Sequence, residues 1–468
     1  MPSLTILHTN DIHGRIEGLA RIATFVEQIR AAQPDRPVLY VDAGDSEETA
    51  NRLSNLTKGT AMHRLLSAAG CDAATVGNAA PLRYGHQVLL DHAAAADYPL
   101  LLANMRLPDG SPVPGVQLTA LRELSGVRIG LLGVTTPMEG DYEKWFGLTM
   151  PPLLPLIREL VASMRQDGAE IVVLLSHLGL AADRELAAGL QGVVDIIIGA
   201  HSHDLLSAGE RIGNLLVAQA GEYAEHLGRI DLTWDGEQLT ELRAAVLPVP
   251  ETTPQSPRVL DEVVAIEAEV AHFLDEIIGE LAAPLDFASD RECGVGNLVA
   301  DMLYERMDAE VALVAVGQAF GGPLPGGPLK RITLWEMCSS PANPGVVVLT
   351  GARLQELIAR GLDPAFTAER PRQLRGAARG LFHLSGARIH DRQLMIGGQP
   401  IDPKREYRVA GTDWEFEHYG GYAPREWELQ PHYNLPTILR EALEEYLANH
   451  RPVTVPMGRL GGTTEDRR

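Results

Sequence analysis

Short apolar runs alternate with segments of helical periodicity over the first 250 residues. The runs LTILH, PVLYVDAGD, DAATVGN, EIVVLLSH, VDIIIGAHSH and NLLVAQAG are typical of buried strands. Between the first two runs, Ile22, Val26 and Ile29 recur at helical spacing. Strands that alternate with helices predict an α/β domain built in layers, which we assign to residues 1–250.

A proline-rich break, PVPETTPQSP at residues 248–257, indicates a domain boundary. The apolar positions Val263, Ile266 and Val270 then follow one helix face, which predicts a linker and connecting helix within residues 251–285. A further helix, GNLVADMLYERM, and a strand, EVALVAV, begin a second α/β domain at residues 286–460. The tail GGTTEDRR, residues 461–468, is predicted to be disordered.

Charge and composition narrow the classes of partner. The chain has 468 residues and a formal net charge of −22, which argues against nucleic-acid binding and against an anionic membrane surface. A small anionic substrate stays compatible, because metal ions can supply a local positive field. No apolar run is long enough to cross a bilayer, and the N-terminus leads directly into a strand, so we expect a cytoplasmic protein.

The three cysteines, Cys71, Cys293 and Cys338, are far apart and have no CxxC spacing. A disulfide framework and a cysteine-ligated zinc site are therefore not expected, and buried free thiols are the simpler interpretation. No feature of the sequence indicates the oligomeric state of the protein.

Seven side chains that can bind metals follow the carboxyl ends of five predicted strands. They are Asp11 and His13, Asp45, Asn78, His177, and His201 with His203. Ligand sites in open α/β sheets lie at this edge. Taken singly, each motif has an ordinary explanation: a D-x-H is usually a polar turn, and a single histidine after a strand usually has a structural role. The conjunction is much stronger, because independent accidents would not all fall on strand ends.

Oxygen and imidazole ligands in this mixture suit Mn, Fe, Zn, Co or Ni. One aspartate can bridge two such ions about 3.5–4 Å apart, which is the two-metal geometry for cleaving phosphoesters. We therefore expect two divalent metal ions as cofactors.

The motifs TNDIHGR, DAGD, TVGN, LLSHLG and GAHSH, in this order, resemble those of the calcineurin-like metallophosphoesterases. The segments GNLVADMLYERMDAEVALV and VVVLTGARLQELI resemble the C-terminal domain of the bacterial 5′-nucleotidase family. The resemblance covers nearly the whole chain. It implies a calcineurin-like β-sandwich flanked by helices, a linker helix, and a second α/β domain that binds the substrate, a small phosphate ester such as a nucleotide.

The resemblance also implies roles for individual residues. Asp11, His13 and His203 would hold the first metal ion. Asn78, His177 and His201 would hold the second ion. Asp45 would bridge both, and a metal-bound hydroxide would attack phosphorus in line.

Two departures from the family pattern affect the expected activity. Where the family has G-N-H-E, this chain reads GNAAPLRYG, so Ala79 replaces the catalytic histidine and no acid follows. The catalytic proton donor is therefore unknown. His86 is a weak candidate, and Tyr84 and Arg83 also lie nearby in the sequence, although a packing or surface role is the simpler interpretation of each.

The second departure lies in the C-terminal domain, where Phe320 stands near the position of a phosphate-binding arginine. The nucleobase loop is reduced to HYGGY. Four aromatic residues could still stack on a base, and a buried aromatic cluster is the alternative. They are Trp414, Phe416, Tyr419 and Tyr422.

Three functions stay open from the sequence. The chain could be a metallophosphatase that acts on nucleotides and serves nucleotide catabolism. It could be a phosphodiesterase or pyrophosphatase that favours good leaving groups. It could also be a metal-binding pseudoenzyme that binds a ligand or partner. Retention of all seven ligands argues against the third, because a binding module would not need them.

Overall fold

The computed structural model describes residues 1–370 and 378–461. It divides the chain into two compact units, Met1–Ala268 and Glu269–Arg468. The domain boundaries drawn from the sequence, at residues 250, 285 and 460, stay predictions. The predicted disordered tail lies outside the described residues except for Gly461.

The first unit alternates strands and helices. Its strands are β1 (Ser3–Thr9), β2 (Val38–Asp42), β3 (Ala73–Thr75), β4 (Leu100–Leu101), β5 (Thr119–Leu124), β6 (Val127–Thr135), β7 (Ile171–His177), β8 (Ile196–Gly199), β9 (Glu210–Ile212), β10 (Leu215–Ala218), β11 (His226–Trp234) and β12 (Leu239–Pro248). Its helices are α1 (Ile16–Ala32), α2 (Arg52–Leu56), α3 (Thr60–Ala68), α4 (Ala79–Tyr84), α5 (Val88–Ala95), α6 (Asp141–Phe146), α7 (Leu153–Gln166) and α8 (Leu180–Gly189), with a 3-10 turn at Met138–Gly140. A long helix, α9 (Pro257–Leu274), contains the division between the units.

The strands of the first unit form two six-stranded sheets, in the orders β12-β11-β1-β2-β3-β4 and β5-β6-β7-β8-β10-β9. Within the first sheet β1, β2, β3 and β4 are parallel, and within the second β6, β7, β8 and β10 are parallel. The carboxyl ends of each parallel set therefore lie at one edge of its sheet.

Alternate residues of each central strand enter different cores. Ile6 of β1, Val41 of β2 and Val173 of β7 share one core, which contains residues of both sheets. The other face of the second sheet, including Leu174, packs against helices α7 and α8 in a second core. Because both faces are covered, the strand sequences are continuously apolar rather than alternating. This arrangement confirms the predicted β-sandwich flanked by helices.

The second unit is also a mixed α/β structure. Its strands are β13 (Ile277–Leu281), β14 (Val311–Ala315), β15 (Gly327–Lys330), β16 (Pro344–Thr350), β17 (Phe382–Ser385), β18 (Ala387–His390), β19 (Gln393–Ile396), β20 (Gln399–Pro400), β21 (Glu406–Thr412) and β22 (His432–Tyr433). Its helices are α10 (Gly294–Arg306), α11 (Val316–Ala319), α12 (Arg331–Met337), α13 (Gly351–Gly361), α14 (Pro364–Thr367), α15 (Asp413–Phe416) and α16 (Leu439–Asn449), with 3-10 turns at His418–Gly420 and Arg425–Trp427. The main sheet has the order β17-β14-β21-β16-β22.

A buried histidine of this unit binds the backbone of the residue that precedes helix α10. His383 on β17 accepts a hydrogen bond at Nε2 from the backbone N–H of Cys293, at 2.9 Å, and its Nδ1 lies 3.1 Å from the carbonyl of Leu381. Because the carbonyl can only accept, Nδ1 carries the proton and the ring is neutral. Burial lowers the pKa of His383 to about 4.

All three cysteines are buried free thiols. In the parts of the chain that the structure describes, no helix has the length and apolarity needed to cross a bilayer.

Candidate metal centre

The seven predicted ligands lie at or just beyond the carboxyl ends of five strands. Asp11 and His13 follow β1, Asp45 follows β2, Asn78 follows β3, His177 ends β7, and His201 and His203 follow β8. Three of these strands belong to one sheet and two to the other. The site therefore lies where the carboxyl edges of two parallel sets meet.

Five of the seven residues have left-handed backbone conformations: Asp11 (φ 50°), His13 (φ 46°), Asp45 (φ 53°), His201 (φ 74°) and His203 (φ 61°). Non-glycine residues rarely adopt this region, and such strain concentrates at functional sites. Gly77 meets a related constraint, because a Cβ there would lie 2.0 Å from Oδ1 of Asp45.

One group of ligands is built on Asp11, which is fully buried. Its Oδ1 lies 3.8 Å from Nε2 of His13 and 3.4 Å from Nε2 of His203. The two histidine Nε2 atoms are 3.2 Å apart. Three donor atoms so close together, two of them imidazole nitrogens, form a group that can bind one metal ion.

A second group combines Asp11 with Asp45 and His177. Nε2 of His177 lies 3.3 Å from Oδ2 of Asp45, and Oδ1 of Asp45 accepts the backbone N–H of Ala79 at 2.8 Å. Asp11 thus belongs to both groups, whereas the resemblance assigned the bridge to Asp45. The bridging role of Asp45 stays a proposal.

His201 approaches the second group through two contacts. Its backbone N–H lies 3.1 Å and 3.0 Å from the carboxylate oxygens of Asp11, and its ring centroid is 5.3 Å from that of His177. Burial and the neighbouring His177 lower the pKa of His201. A neutral imidazole is the form that binds metals.

Neighbouring carboxylates raise the pKa values of two of the candidate histidines. Burial acts against the charged form of His177, but the Asp45 carboxylate outweighs burial and raises the pKa of His177 to about 9. A hydrogen bond to Asp11 is the main cause that raises the pKa of His203. In both pairs the carboxylate favours the positively charged imidazole, and a divalent cation would supply the same positive charge.

Three outer partners orient the candidate ligands, and none of the three was predicted from the sequence. Nδ1 of His177 lies 2.9 Å from the Ala43 carbonyl, and Nδ1 of His203 lies 2.5 Å from Oε2 of Glu222. Asn10 donates to Oδ2 of Asp11 at 2.8 Å. The partners of His177 and His203 fix the ring tautomer and so leave Nε2 available to a metal ion. Glu222 directly follows the predicted strand NLLVAQAG, and a polar residue at the end of a strand is the signal by which it could have been found.

Two buried atoms test whether these residues fit divalent ions. Oδ1 of Asn78 is buried and has no hydrogen-bond partner among the described residues, and Nε2 of His177 is buried with the Asp45 carboxylate near it, at 3.3 Å and outside good hydrogen-bond geometry. Leaving such atoms unpaired is costly, about 1–3 kcal/mol each. Both atoms are metal-binding atoms of the predicted second site, so the donor set fits a pair of divalent cations.

The position of the family histidine offers no proton donor. Ala79 begins α4, and its backbone N–H is used on Asp45. The hydroxyl of the buried Tyr84 donates to Asn55 at 3.2 Å. Burial lowers the pKa of the partly buried His86, and no hydrogen bond or ion pair in the described chain joins its side chain to the seven ligands.

The predicted base-stacking residues have unequal exposure. Trp414 (4% exposed), Phe416 (3%) and Tyr422 (1%) are buried, whereas Tyr419 is partly exposed. The hydroxyl of Tyr419 donates to Asp413 at 2.8 Å. Three of the four rings therefore have the burial of core residues, and Tyr419 has the most accessible ring of the set.

A cationic feature beside these rings has no counterpart in the sequence analysis. The guanidinium of Arg379 lies 4.1 Å from the ring centroid of Phe366 and 5.9 Å from that of Tyr422. Phe320, near the expected arginine position, is buried.

Comparison with protein families matches each half of the chain to a known domain. The model for the calcineurin-like phosphoesterase matches residues 4–205, and the model for the 5′-nucleotidase C-terminal domain matches residues 277–425. The chain belongs to the 5′-nucleotidase family of calcineurin-like phosphoesterases. This family consists of hydrolases, so the predicted enzyme class is confirmed.

Several known proteins are similar to the chain over most of its length. An uncharacterized metallophosphoesterase of Bacillus subtilis, YunD, is 29% identical over 88% of this chain and 92% of its own. The trifunctional nucleotide phosphoesterase YfkN of the same organism is 26% identical over 77% of this chain. The matched region covers only 28% of the length of YfkN. A putative 5′-nucleotidase from Staphylococcus aureus shares the fold, with a TM-score of 0.61 at 18% identity, over 97% of this chain and 98% of its own.

Proposed function

We propose that this chain is a metal-dependent phosphoester hydrolase that binds two divalent ions, such as Mn²⁺ or Zn²⁺, on its seven predicted ligands. Two buried atoms carry the proposal: Oδ1 of Asn78, which has no hydrogen-bond partner among the described residues, and Nε2 of His177, whose polar neighbour is the Asp45 carboxylate at 3.3 Å. A buried polar atom without a partner is costly, and a divalent cation would suit the Asn78, His177 and Asp45 side chains together.

The chain's own residues hold and orient this site. The Ala43 carbonyl fixes the His177 ring, and Glu222 fixes the His203 ring. The backbone N–H of Ala79 holds one oxygen of Asp45, which leaves the other oxygen directed at His177. Bound divalent ions would supply positive charge for the transferred phosphoryl group and would activate water at neutral pH.

Nucleotides are the proposed substrate class, with a role in nucleotide catabolism. Two observations support this proposal. The second unit matches the 5′-nucleotidase C-terminal domain, and the relative YfkN is a nucleotide phosphoesterase. Trp414, Phe416, Tyr419 and Tyr422 stay the proposed substrate-binding residues, with Tyr419 the best placed for stacking because its ring is the most accessible.

A finer proposal follows from Ala79. No side chain from Ala79 to Leu82 can transfer a proton, so the leaving oxygen departs largely as an anion. Substrates with acidic leaving groups, such as pyrophosphates and aryl phosphodiesters, should then react faster than alkyl monoesters. A cytoplasmic location stays a prediction, which the three buried free thiols support.

The experiment compares chelator-treated protein before and after addition of Mn²⁺ on a panel of aryl phosphates, phosphodiesters, nucleotides and pyrophosphates. We expect activity only with metal, and a loss of at least ~100-fold in kcat/KM for His177→Ala, since metal charge contributes several kcal/mol. The exposed His390 provides a matched control, and His390→Ala should retain full activity. Metal uptake without turnover of any substrate would instead support the pseudoenzyme.

A further inference from the structure

A second cluster of metal-binding side chains lies inside the first unit, separate from the seven ligands. It consists of Glu47 on the segment between β2 and α2, His63 on α3, and His92 on α5. All three residues are buried, and one donor atom of each lies within 4.8 Å of the other two. The two imidazole centroids are 4.4 Å apart.

His92 has a lone pair directed at this cluster. Its Nε2 lies 2.8 Å from the carbonyl oxygen of Lys58, which can only accept, so Nε2 carries the proton. The ring is completely buried, and burial lowers its pKa to about 4, so it is neutral. Nδ1 therefore presents a lone pair, which lies 3.5 Å from Oε1 of Glu47.

Two acceptors thus face each other in the protein interior. Nδ1 of His92 has no hydrogen-bond partner among the described residues. An unpaired buried acceptor costs about 1–3 kcal/mol. A cation between His92 and Glu47 would satisfy both atoms.

His63 completes the set of donors. Its Nε2 lies 2.7 Å from Oε1 of Glu47, and its Nδ1 lies 2.9 Å from the hydroxyl of Tyr98. Both histidines therefore have an oxygen partner on the nitrogen that faces away from Glu47. Metal-binding histidines have this arrangement, because the outer partner fixes the tautomer and the ring orientation.

We propose that Glu47, His63 and His92 form a third metal site, which binds a zinc-like divalent cation. Zinc bonds of about 2.0–2.1 Å in tetrahedral geometry separate neighbouring ligand atoms by about 3.3 Å. The 3.5 Å between Glu47 and His92 already matches this separation, and the 2.7 Å between Glu47 and His63 must open slightly. His63 then carries its proton on Nδ1, where the Tyr98 oxygen accepts it.

The position of the site suggests a structural role. An ion there joins α3 and α5 to the segment that carries both Glu47 and Asp45. Gly59 keeps this packing close: its φ is +92°, and a Cβ would lie 2.6 Å from Cγ of Glu47 and 3.0 Å from Nε2 of His92. The third ion would therefore fix the loop of Asp45 without touching the substrate.

The test is the metal content of the full-length protein, stripped with a chelator, loaded with Zn²⁺ alone and analysed for zinc per chain. Wild type should hold one more ion than His92→Gln, and His177→Ala should retain that ion. Equal zinc content in wild type and folded His92→Gln would overturn the proposal. So would loss of the extra ion in His177→Ala, because the ion would then belong to the seven-ligand site.

Two further measurements apply if His92→Gln does not fold. Glu47→Gln keeps the side-chain volume and removes the charge, so it should also lose one zinc ion; an unchanged zinc content would overturn the proposal. Co²⁺ in place of zinc should give visible absorption in wild type, and Glu47→Gln should lose the part of it that one tetrahedral ion contributes. Absorption of equal intensity in this variant would likewise contradict the site. Neither readout depends on catalytic activity.

Discussion

The absence of a proton donor at Ala79 makes the rate depend on the leaving group. We expect kcat/KM to rise steeply with leaving-group acidity along a series from alkyl to aryl monoesters at fixed metal and pH. Ala79 supplies only a methyl group, Tyr84 uses its hydroxyl on Asn55, and His86 has no hydrogen bond or ion pair to the seven predicted ligands among the described residues. The missing general acid contributes ~10²–10⁴-fold, or about 3–5 kcal/mol.

A substitution tests the same reasoning in the opposite direction. Ala79→His should raise the rate for AMP-like monoesters, toward the ~10²–10⁴-fold limit of general-acid help, and should change aryl phosphates little. Ala79→Gln is the matched control, because it has similar size and polarity but cannot transfer a proton. AMP turnover as fast as that of aryl and pyrophosphate substrates in wild type would refute the argument. His86→Ala would then test whether a relocated histidine supplies the proton.

Three further predictions concern other parts of the molecule. Glu222→Gln should weaken divalent-metal affinity ~10–100-fold at the site of His203, measured by Mn²⁺ titration, because it weakens the outer partner of a ligand; unchanged affinity would contradict that role. His383 has a folded pKa of about 4 against 6.5 when unfolded, so its contribution to stability is full above pH 6.5 and is lost as the pH falls toward 4. That loss is about 3 kcal/mol, and denaturant unfolding of His383→Gln should show a weaker dependence on pH over this window. Tyr419→Ala should raise KM for a nucleotide and spare an aryl phosphate, whereas Trp414→Ala should mainly lower the melting temperature; equal effects of Tyr419→Ala on both substrates would exclude stacking.

The sequence predicted the two α/β domains and the strand-end positions of the seven candidate ligand residues, because both depend on local patterns. Continuous apolar strands covered on both faces leave a clear signal, and polar residues at strand ends are easy to find. Asp11, Asp45 and His177 come together in the structure as that reasoning expected.

The cluster of Glu47, His63 and His92 could not be found in the same way. His63 and His92 lie in the middle of helical segments, where a single histidine has no motif, and their meeting with Glu47 depends on how α3 and α5 pack. The exposure of the aromatic residues could not be predicted either. Trp414 and Tyr419 are both aromatic residues of one short segment, and only the structure shows that the first is buried and the second is partly exposed. Such features depend on tertiary packing, which sequence periodicity does not encode.

The pairing of two ions across Asp45 is the central claim, and electron paramagnetic resonance of the Mn²⁺-loaded protein tests it most directly. Two Mn²⁺ ions about 3.5–4 Å apart with a bridging carboxylate are exchange-coupled. We predict a coupled signal in wild type that persists in His92→Gln and disappears in Asp45→Asn. A spectrum of isolated Mn²⁺ only, or a coupled signal that survives Asp45→Asn, would contradict the account.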